Sequence, residues 1–358
     1  MCTSKGGGMG VFSHAEFDDH ESLHFINDAS TGLRAIIAIH STVLGPAAGG
    51  CRRWSYVSDA EALTDALRLS RGMTYKNAVA ELPFGGGKSV ILASNTAPKS
   101  PQLLAAFGRA VDSLGGKYVT AEDVGMSVDD MRQVQQHTKF VSGLPQSGTS
   151  AGGDPSPWTA LGVYLGIAAA VKSRLEKDSL KDLKIAVQGV GHVGAHLCQL
   201  LHDAGAKLLV ADVNRSNLNA VKSAMPVEIV APAEILYADA DVLAPCALGN
   251  VLTSATIPKI KAKVIAGAAN NQLSTLADGA RLAARKILYA PDYVINAGGI
   301  ISVSHEYYGV SSEAEVRADV EKIPHRLQSI FAESSDSGRP TNELADEYAR
   351  RLIAAGRK

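Results

Sequence analysis

Lys184-Ile-Ala-Val-Gln-Gly-Val-Gly-His-Val-Gly-Ala-His-Leu-Cys198, with its sequel Lys207-Leu-Leu-Val-Ala-Asp212, is the stretch around which the chain is organised. An apolar run ends in Gly189, Gly191 and Gly194, spaced G-x-G-x-x-G, and a helical pattern follows at once (Val193, Leu197, Leu200, Leu201). The spacing alone is a weak signal. Here it stands between strand and helix, with an acid closing the next strand, and that context is the dinucleotide-binding fingerprint. Gly189 allows the tight turn, Gly191 lets the backbone approach a pyrophosphate, and Gly194 lets the helix pack close. The backbone from Gly189 through Val190, His192 and Val193 to Gly194 offers free N–H donors at a helix N-terminus. The side chain of His192 is expected in solvent, because the backbone does the binding there. Asp212 would accept from the adenosine ribose hydroxyls and repel a 2′-phosphate, which favours NAD over NADP; Arg215 nearby is the opposing signal. A glycine turn that binds nothing is the competing reading.

The chain has 358 residues, enough for two domains with separate cores. Apolar residues at 46% and charged residues at 20% describe an ordinary globular protein. A formal net charge of −1 gives no electrostatic reason to expect nucleic acid or a membrane as partner. The cysteines Cys2, Cys51, Cys198 and Cys246 are scattered without a C-x-x-C pair, which fits reduced thiols in a cytoplasm. No apolar run reaches membrane-spanning length, the N-terminus lacks a signal-peptide core, and Gly6 to Gly8 read as a flexible lead-in. The 10 histidines include two H-x-x-x-H spacings, His20–His24 and His192–His196, but no wider cluster of ligands, and no metal is expected.

Taken in order, 23–27 and 33–40 read as strands of a hairpin, and 44–53 as a glycine-bearing loop. Apolar spacing predicts a helix from Ser58 to about Ala80, carrying Lys76 near its end. A glycine loop from Leu82 then runs into a strand ending near Leu92. A helix over 101–114, a strand from Lys117 and a helix from about Val128 complete this half. Residues Gly143 to Pro157 are rich in Gly, Ser and Pro and read as a hinge. A long helix to about Lys177 follows, and then strands at 184–189, 207–211, 227–230, 241–244, 263–266 and 287–290 alternate with helices. The expected fold is therefore α/β in two domains, with a mixed α/β domain over 1–150 and a doubly wound Rossmann-type domain over 151–334. Amphipathic helices are expected near 314–334 and 341–356, the last one (about 335–358) packing back on the first domain.

Gly85-Gly-Gly-Lys-Ser89 invites a phosphate-loop reading, but that motif requires glycine at position 82, which is leucine. More telling is a second lysine, Lys76, twelve positions before Lys88, together with the acidic pair Glu122-Asp123 after a strand. A substrate carboxylate needs a cation, and a lysine base needs burial or a neighbouring ammonium.

These motifs carry a resemblance. Gly45-Pro-Ala-Ala-Gly-Gly50, Met73-Thr-Tyr-Lys76, Gly85-Gly-Gly-Lys-Ser89, Ala121-Glu-Asp-Val-Gly125, Asp154-Pro-Ser-Pro157, Gly267-Ala-Ala-Asn-Asn271 and Asn296-Ala-Gly-Gly299 span the chain from about Leu23 to Gly309. The chain resembles the amino-acid dehydrogenase superfamily of glutamate, leucine, phenylalanine and valine dehydrogenases, in its short leucine/phenylalanine branch. The resemblance implies NAD-dependent, reversible oxidative deamination of an L-amino acid to a 2-oxo acid and ammonia, in a cleft between two domains of a homo-oligomer. It assigns Lys88 and Asp123 to catalysis, Lys76 to the substrate α-carboxylate, Gly49 and Gly50 to the substrate site, and Asn270 to nicotinamide and substrate. Thr159, Cys246 and Ala247 fall where the family approaches the cofactor. Asp154 stands where some relatives have Asn, and Asn250 where a small residue is usual.

The resemblance also bears on the side-chain pocket. Glutamate-using relatives hold the distal carboxylate with a lysine and a serine at the places occupied here by Ala48 and Val303. An apolar pocket accepts a carboxylate only at several kcal/mol of desolvation, on the order of 2–7 even for an uncharged polar group. Ala121 and Ile300 resemble the leucine-type wall, whereas a small residue at Ala48 would admit an aromatic ring. Leucine or another branched-chain amino acid is the expectation, and phenylalanine the alternative. A catalytically silent NAD-binding regulatory module would leave Lys76, Lys88 and Asp123 without a purpose. Cys51, with no partnered base in view, reads as a packing residue, as do Trp54 and Trp158.

Overall fold

The computed structural model describes residues 10–94, 98–144, 154–247, 249–309 and 312–356, in two compact units. Described residues within Met1–Asn77, Pro83–Leu144 and Gly356–Lys358 form the first unit, and those within Ala78–Leu82 and Pro145–Ala355 the second. The lead-in Gly6–Gly8 and most of the expected hinge (145–153) lie outside the described residues.

The first unit is a mixed sheet of β1 (Ser22–Asp28), β2 (Leu33–Ser41), β3 (Ala47–Trp54), β4 (Gly85–Leu92) and β5 (Tyr118–Glu122), in the order β1-β2-β4-β3-β5. β1 and β2 form the expected hairpin, β2 meets β4 antiparallel, and β3 runs parallel to both β4 and β5. The expected loop over 44–53 is thus largely the interior strand β3. Its glycines mark close approach of neighbouring backbone, not looseness: a Cβ at Gly49 would meet the Gly87 carbonyl oxygen at 1.8 Å, and one at Gly50 the Glu122 carbonyl oxygen at 2.7 Å.

Side chains alternate between the sheet's two faces. On one face Leu33, Ile37, Ile39 and Cys51 pack with Leu103, Leu104 and Phe107 of α2 (Pro101–Asp112) and Met131 of α3 (Val128–Gln135). On the other, Ile36, Ala38 and Val90 pack with Ala62 and Ala66 of α1 (Asp59–Val79). Lys88 pairs in register with Ala38, and Arg52 with Val90, so both stand on the α1 face. Trp54, expected to pack, is 52% exposed, because β3 ends there at the rim of the sheet.

The second unit is the doubly wound sheet that the fingerprint implies. β6 (Lys184–Gln188), β7 (Lys207–Ala211), β8 (Glu228–Ile229), β9 (Val242–Pro245), β10 (Val264–Ile265) and β11 (Leu288–Tyr289) are all parallel, in the order β11-β10-β9-β6-β7-β8. The chain leaves β8 at one edge and returns beside β6 as β9, so the topological switch point lies between β6 and β9. Around the sheet lie α4 (Ser156–Leu175), α5 (His192–Asp203), α6 (Arg215–Ala224), α7 (Ala277–Ala284), α8 (Asp292–Ile295) and α9 (Gly298–Tyr308).

The helix expected over 314–334 is two, α10 (Glu313–Val320) and α11 (Ile323–Ser337). Pro324 lies in the first turn of α11, where its missing N–H costs nothing; in a continuous helix it would break the ladder. The final helix, α12 (Thr341–Gly356), belongs up to Ala355 to the second unit, not the first as expected. Its polar anchors are local: Thr341 Oγ1 donates to the Tyr289 carbonyl at 2.7 Å, and Tyr293 OH donates to Asp346 at 2.7 Å. Amphipathic spacing predicts that one face is buried, as Leu344, Ala345 and Ala349 are, without saying against what.

Candidate active site

In the first unit three parallel strands bring the polar cluster together. Lys88, on interior strand β4, is only 6% exposed, and its ammonium donates to Oδ2 of Asp123, the residue just past β5. Arg52 Nε stands 3.5 Å from the same oxygen, and Arg52 Nη1 donates to Asp65 of α1 at 3.0 Å. Asp65 also accepts from Tyr56 OH at 2.7 Å. Burial pushes the Asp123 carboxyl up, but Lys88 and Arg52 outweigh it and hold the group at about 2. Asp123 is therefore ionised at neutral pH.

The glycines give this cluster its room. A Cβ at Gly86 would meet the backbone nitrogen of Thr74 at 2.0 Å, and one at Gly49 would meet Met73 Cγ at 3.2 Å, so β3 and β4 lie directly against α1. Lys76, two residues beyond Thr74, is half-buried on that helix. A Cβ at Gly50 would stand 2.8 Å from Asp123 Cβ. Ala48 is buried in β3, and Ala121 is half-buried on β5 opposite Gly50. On the sheet's other face Tyr118 OH donates to the Gly49 carbonyl at 2.6 Å and meets Ser89 Oγ at 3.0 Å, which ties β3, β4 and β5 together. Cys51 is fully buried beside Ser89, and burial pushes its thiol up to about 12, which makes it inert.

In the second unit the fingerprint turn sits at the switch point. Gly189 has φ +93°, and a Cβ there would meet Ala247 Cβ at 2.7 Å; Ala247 follows Cys246 just beyond β9. A Cβ at Gly194 would meet the Gly189 carbonyl at 2.0 Å, so only glycine lets α5 start so close to the strand end. At Gly191 an added Cβ meets nothing within 4 Å, which leaves open space over the turn. Val190 N–H donates to Asp212 Oδ2 at 2.9 Å, and Asn214 N–H to Asp212 Oδ1 at 2.7 Å. Burial raises the Asp212 carboxyl, but these bonds lower it further, so it is an anion beside the turn. His192 is exposed, as expected, and Val193 is half-exposed. A glycine turn with open space above it, N–H donors at the start of α5 and an anion beside them fit a dinucleotide.

Other predicted residues gather nearby within this unit. Thr159 Oγ1 donates to the Pro155 carbonyl at 3.1 Å, and a Cβ at Gly299 would stand 2.6 Å from Thr159 Oγ1. Asn270 is exposed past β10, its Oδ1 accepting from Asn296 Nδ2 at 2.8 Å. Ile300 is half-buried and Val303 buried on α9. The substrate-side residues Ala48 and Ala121 thus belong to one unit, and Ile300 and Val303 to the other. Arg52 and Asn296 contact the predicted residues Asp123 and Asn270, and sequence reading did not single them out. Arg52 was legible only once 44–53 is a strand, since alternation then places it on the face of Lys88.

Comparison with known proteins places the chain among relatives. A family model described as Glu/Leu/Phe/Val dehydrogenase, dimerisation domain, matches residues 20–140, and one described as Glutamate/Leucine/Phenylalanine/Valine dehydrogenase matches 207–355. A leucine dehydrogenase of Geobacillus stearothermophilus is 47% identical over 98% of this chain and 95% of its own. A phenylalanine dehydrogenase of Bacillus thermotolerans is 42% identical over 99% and 94% respectively. The crystal structure of L-tryptophan dehydrogenase from Nostoc punctiforme superposes with a TM-score of 0.82 at 45% identity, over 94% of this chain and 97% of that one.

Proposed function

The chain belongs to the Glu/Leu/Phe/Val dehydrogenase family, and from that premise we propose that it oxidises an apolar L-amino acid, leucine first, with NAD⁺ as acceptor. Amino acid, water and NAD⁺ go to 2-oxo acid, ammonia, NADH and a proton. The observation that carries the reading is the buried Lys88–Asp123 contact on the α1 face of the first unit's sheet.

Lys76 supplies the cation for the substrate α-carboxylate, a charge-assisted contact. Gly49 and Gly50 leave the space in which the α-carbon sits. When bound, NAD⁺ supplies the hydride acceptor for that carbon, and the residues that would hold it are the turn Gly189–Gly194, Asp212, Thr159, Cys246, Ala247 and Asn270. Asp212 supports NAD over NADP, because its anion would face the 2′-phosphate of NADP. Asp123, ionised, takes a proton from the substrate nitrogen and later returns one to it. Lys88, as the neutral amine, takes a proton from the water that attacks the iminium carbon. One unit thus brings the acid–base pair and the other the dinucleotide.

Leucine is favoured by Ala121 and Ile300, apolar Ala48 and Val303 stand against glutamate, and the leucine dehydrogenase relative supports the choice. The small, buried Ala48 supports phenylalanine as the second reading. The match of residues 20–140 to a dimerisation domain supports a homo-oligomer. The test is a panel of leucine, valine, phenylalanine, tryptophan and glutamate with NAD⁺ and with NADP⁺, followed by the absorbance of the reduced nicotinamide. The proposal expects leucine and NAD⁺ to give the highest kcat/KM. Aromatics leading would replace the branched-chain reading, and glutamate leading would remove the apolar pocket.

A further inference from the structure

Arg52 takes no part in the reaction as derived above, yet the structure builds it into the acid–base pair. Its Nε is a buried N–H without a hydrogen-bond partner, and the carboxylate oxygen 3.5 Å away is the one that already holds the Lys88 ammonium. The far end of the guanidinium is fixed by Asp65, at 3.3 Å and 3.0 Å to its two oxygens, and Asp65 is in turn fixed by Tyr56 OH. The half-buried Asp123 oxygen therefore faces one cation that can lose its proton and one that cannot.

That difference matters at one moment. While Lys88 is an ammonium, Asp123 has a full counter-charge. Once Lys88 is neutral, as the base must be, burial drives Asp123 to take up a proton, and a protonated Asp123 cannot accept one from the substrate. We propose that Arg52 is the positioning residue of this enzyme: it is the permanent cation that keeps Asp123 ionised while Lys88 is neutral, and Asp65 sets how much of its charge Asp123 feels. This rests on the Lys88–Asp123 mechanism above. Among the described residues, the charged and titratable groups that meet the pair or its partners include Arg52 and Cys51 on β3, Asp65 on α1, Asp130 on α3, and Tyr56 between β3 and α1. Cys51 stays a neutral thiol and Tyr56 a neutral phenol, because burial pushes both up.

The sign follows directly. The active form of the pair, neutral Lys88 with ionised Asp123, carries one proton less than the resting ion pair. Removing the Arg52 charge makes that proton harder to lose, so the acid limb of kcat/KM moves to higher pH. Removing the Asp65 charge makes it easier to lose, so the limb moves to lower pH. A cation within a few ångströms moves a carboxyl by about 1–3 pH units, and sharing with Asp65 puts this one near the low end. The experiment is the pH profile of kcat/KM for the amino acid that the wild-type chain turns over fastest, measured for wild type, Arg52→Gln, Arg52→Lys and Asp65→Asn, with substrate titration common to all. Circular dichroism and thermal unfolding of each variant check that it is folded. Expected are an upward move of about one pH unit for Arg52→Gln, with about tenfold lower kcat/KM on the acid side and recovery at alkaline pH, a smaller upward move for Arg52→Lys, and a downward move for Asp65→Asn. A purely structural role would lower activity at every pH and leave the limb in place. An unmoved limb in Arg52→Gln, or in Arg52→Lys together with Asp65→Asn should Arg52→Gln fail to fold, overturns the proposal, as does movement of Arg52→Gln and Asp65→Asn in the same direction. Full activity in Lys88→Ala would instead overturn the mechanism on which it rests.

Discussion

The fingerprint glycines Gly191 and Gly194 stand three residues apart and should fail in different ways when each is replaced by alanine. At Gly194 the new methyl would lie 2.0 Å from the Gly189 carbonyl oxygen, about 1.4 Å inside the 3.4 Å at which ordinary contact begins. The neighbour is backbone at a strand end, so strand or helix must shift. Such overpacking costs about 1–3 kcal/mol, here near the upper end, and better helix propensity returns about 1 kcal/mol. A net loss of about 2 kcal/mol lowers Tm by roughly 4–8 °C for a unit of this size. At Gly191 the methyl meets nothing within 4 Å, and the residue's φ of −69° suits alanine. The reduced unfolded-state entropy, about 0.4–1 kcal/mol, offsets alanine's poorer fit as N-cap. Stability should stay within about 0.5 kcal/mol of wild type. On the proposed function the pyrophosphate approaches through the open space over Gly191, so NADH affinity should fall about tenfold or more in Gly191→Ala. Thermal unfolding, with fluorescence titration of NADH, separates the effects. Equal loss of Tm in the two variants, or unchanged NADH affinity in Gly191→Ala, would refute this reading of the turn.

Two further outcomes follow from the same geometry. Asp212→Ser should narrow the preference for NAD⁺ over NADP⁺ about tenfold or more, since it removes both the ribose acceptor and the charge facing a 2′-phosphate; an unchanged kcat/KM ratio for the two cofactors would dismiss Asp212 as the selector. The first unit should lose stability as pH falls from 6.5 towards 4: burial, aided by His20, lowers His40 from 6.5 to about 4, so the unfolded chain binds the proton first. Asp18 raises His40 and Arg71 lowers it further, and the gap is worth roughly 3 kcal/mol. His40→Gln should flatten the fall of Tm between pH 7 and 4.5, and an identical slope in that variant would rule His40 out.

What could be read from the residues divides along physical lines. The second unit was legible because its strands are continuous apolar runs and Gly189, Gly191, Gly194 and Asp212 are spaced by the chemistry they serve. In the first unit β3 was not, because Gly49 and Gly50 carry no pattern of their own and look like turn residues. They are glycine because Gly87 and Glu122 backbone lies against them, a tertiary fact. Arg52 was hidden with the strand that aims it. The split between α10 and α11 was missed, since 314–334 read as one helix, although Pro324 inside the helical pattern was the signal for it. The placing of α12 was not, since amphipathic spacing names a buried face and not its partner. Lys76, Lys88 and Asp123 were suggestive as charges near glycines, and their roles came only from the resemblance.

The central claim is that Lys88 and Asp123 perform acid–base chemistry on an amino acid while a separate unit holds the dinucleotide. It is tested most directly by steady-state oxidation of leucine with NAD⁺ in wild type and Lys88→Ala, alongside NADH affinity of both. The account predicts that kcat/KM falls by about 10²–10⁴-fold in Lys88→Ala, the usual contribution of a positioned base, while NADH affinity stays within about twofold of wild type because Lys88 belongs to the other unit. Near wild-type turnover in Lys88→Ala would contradict it.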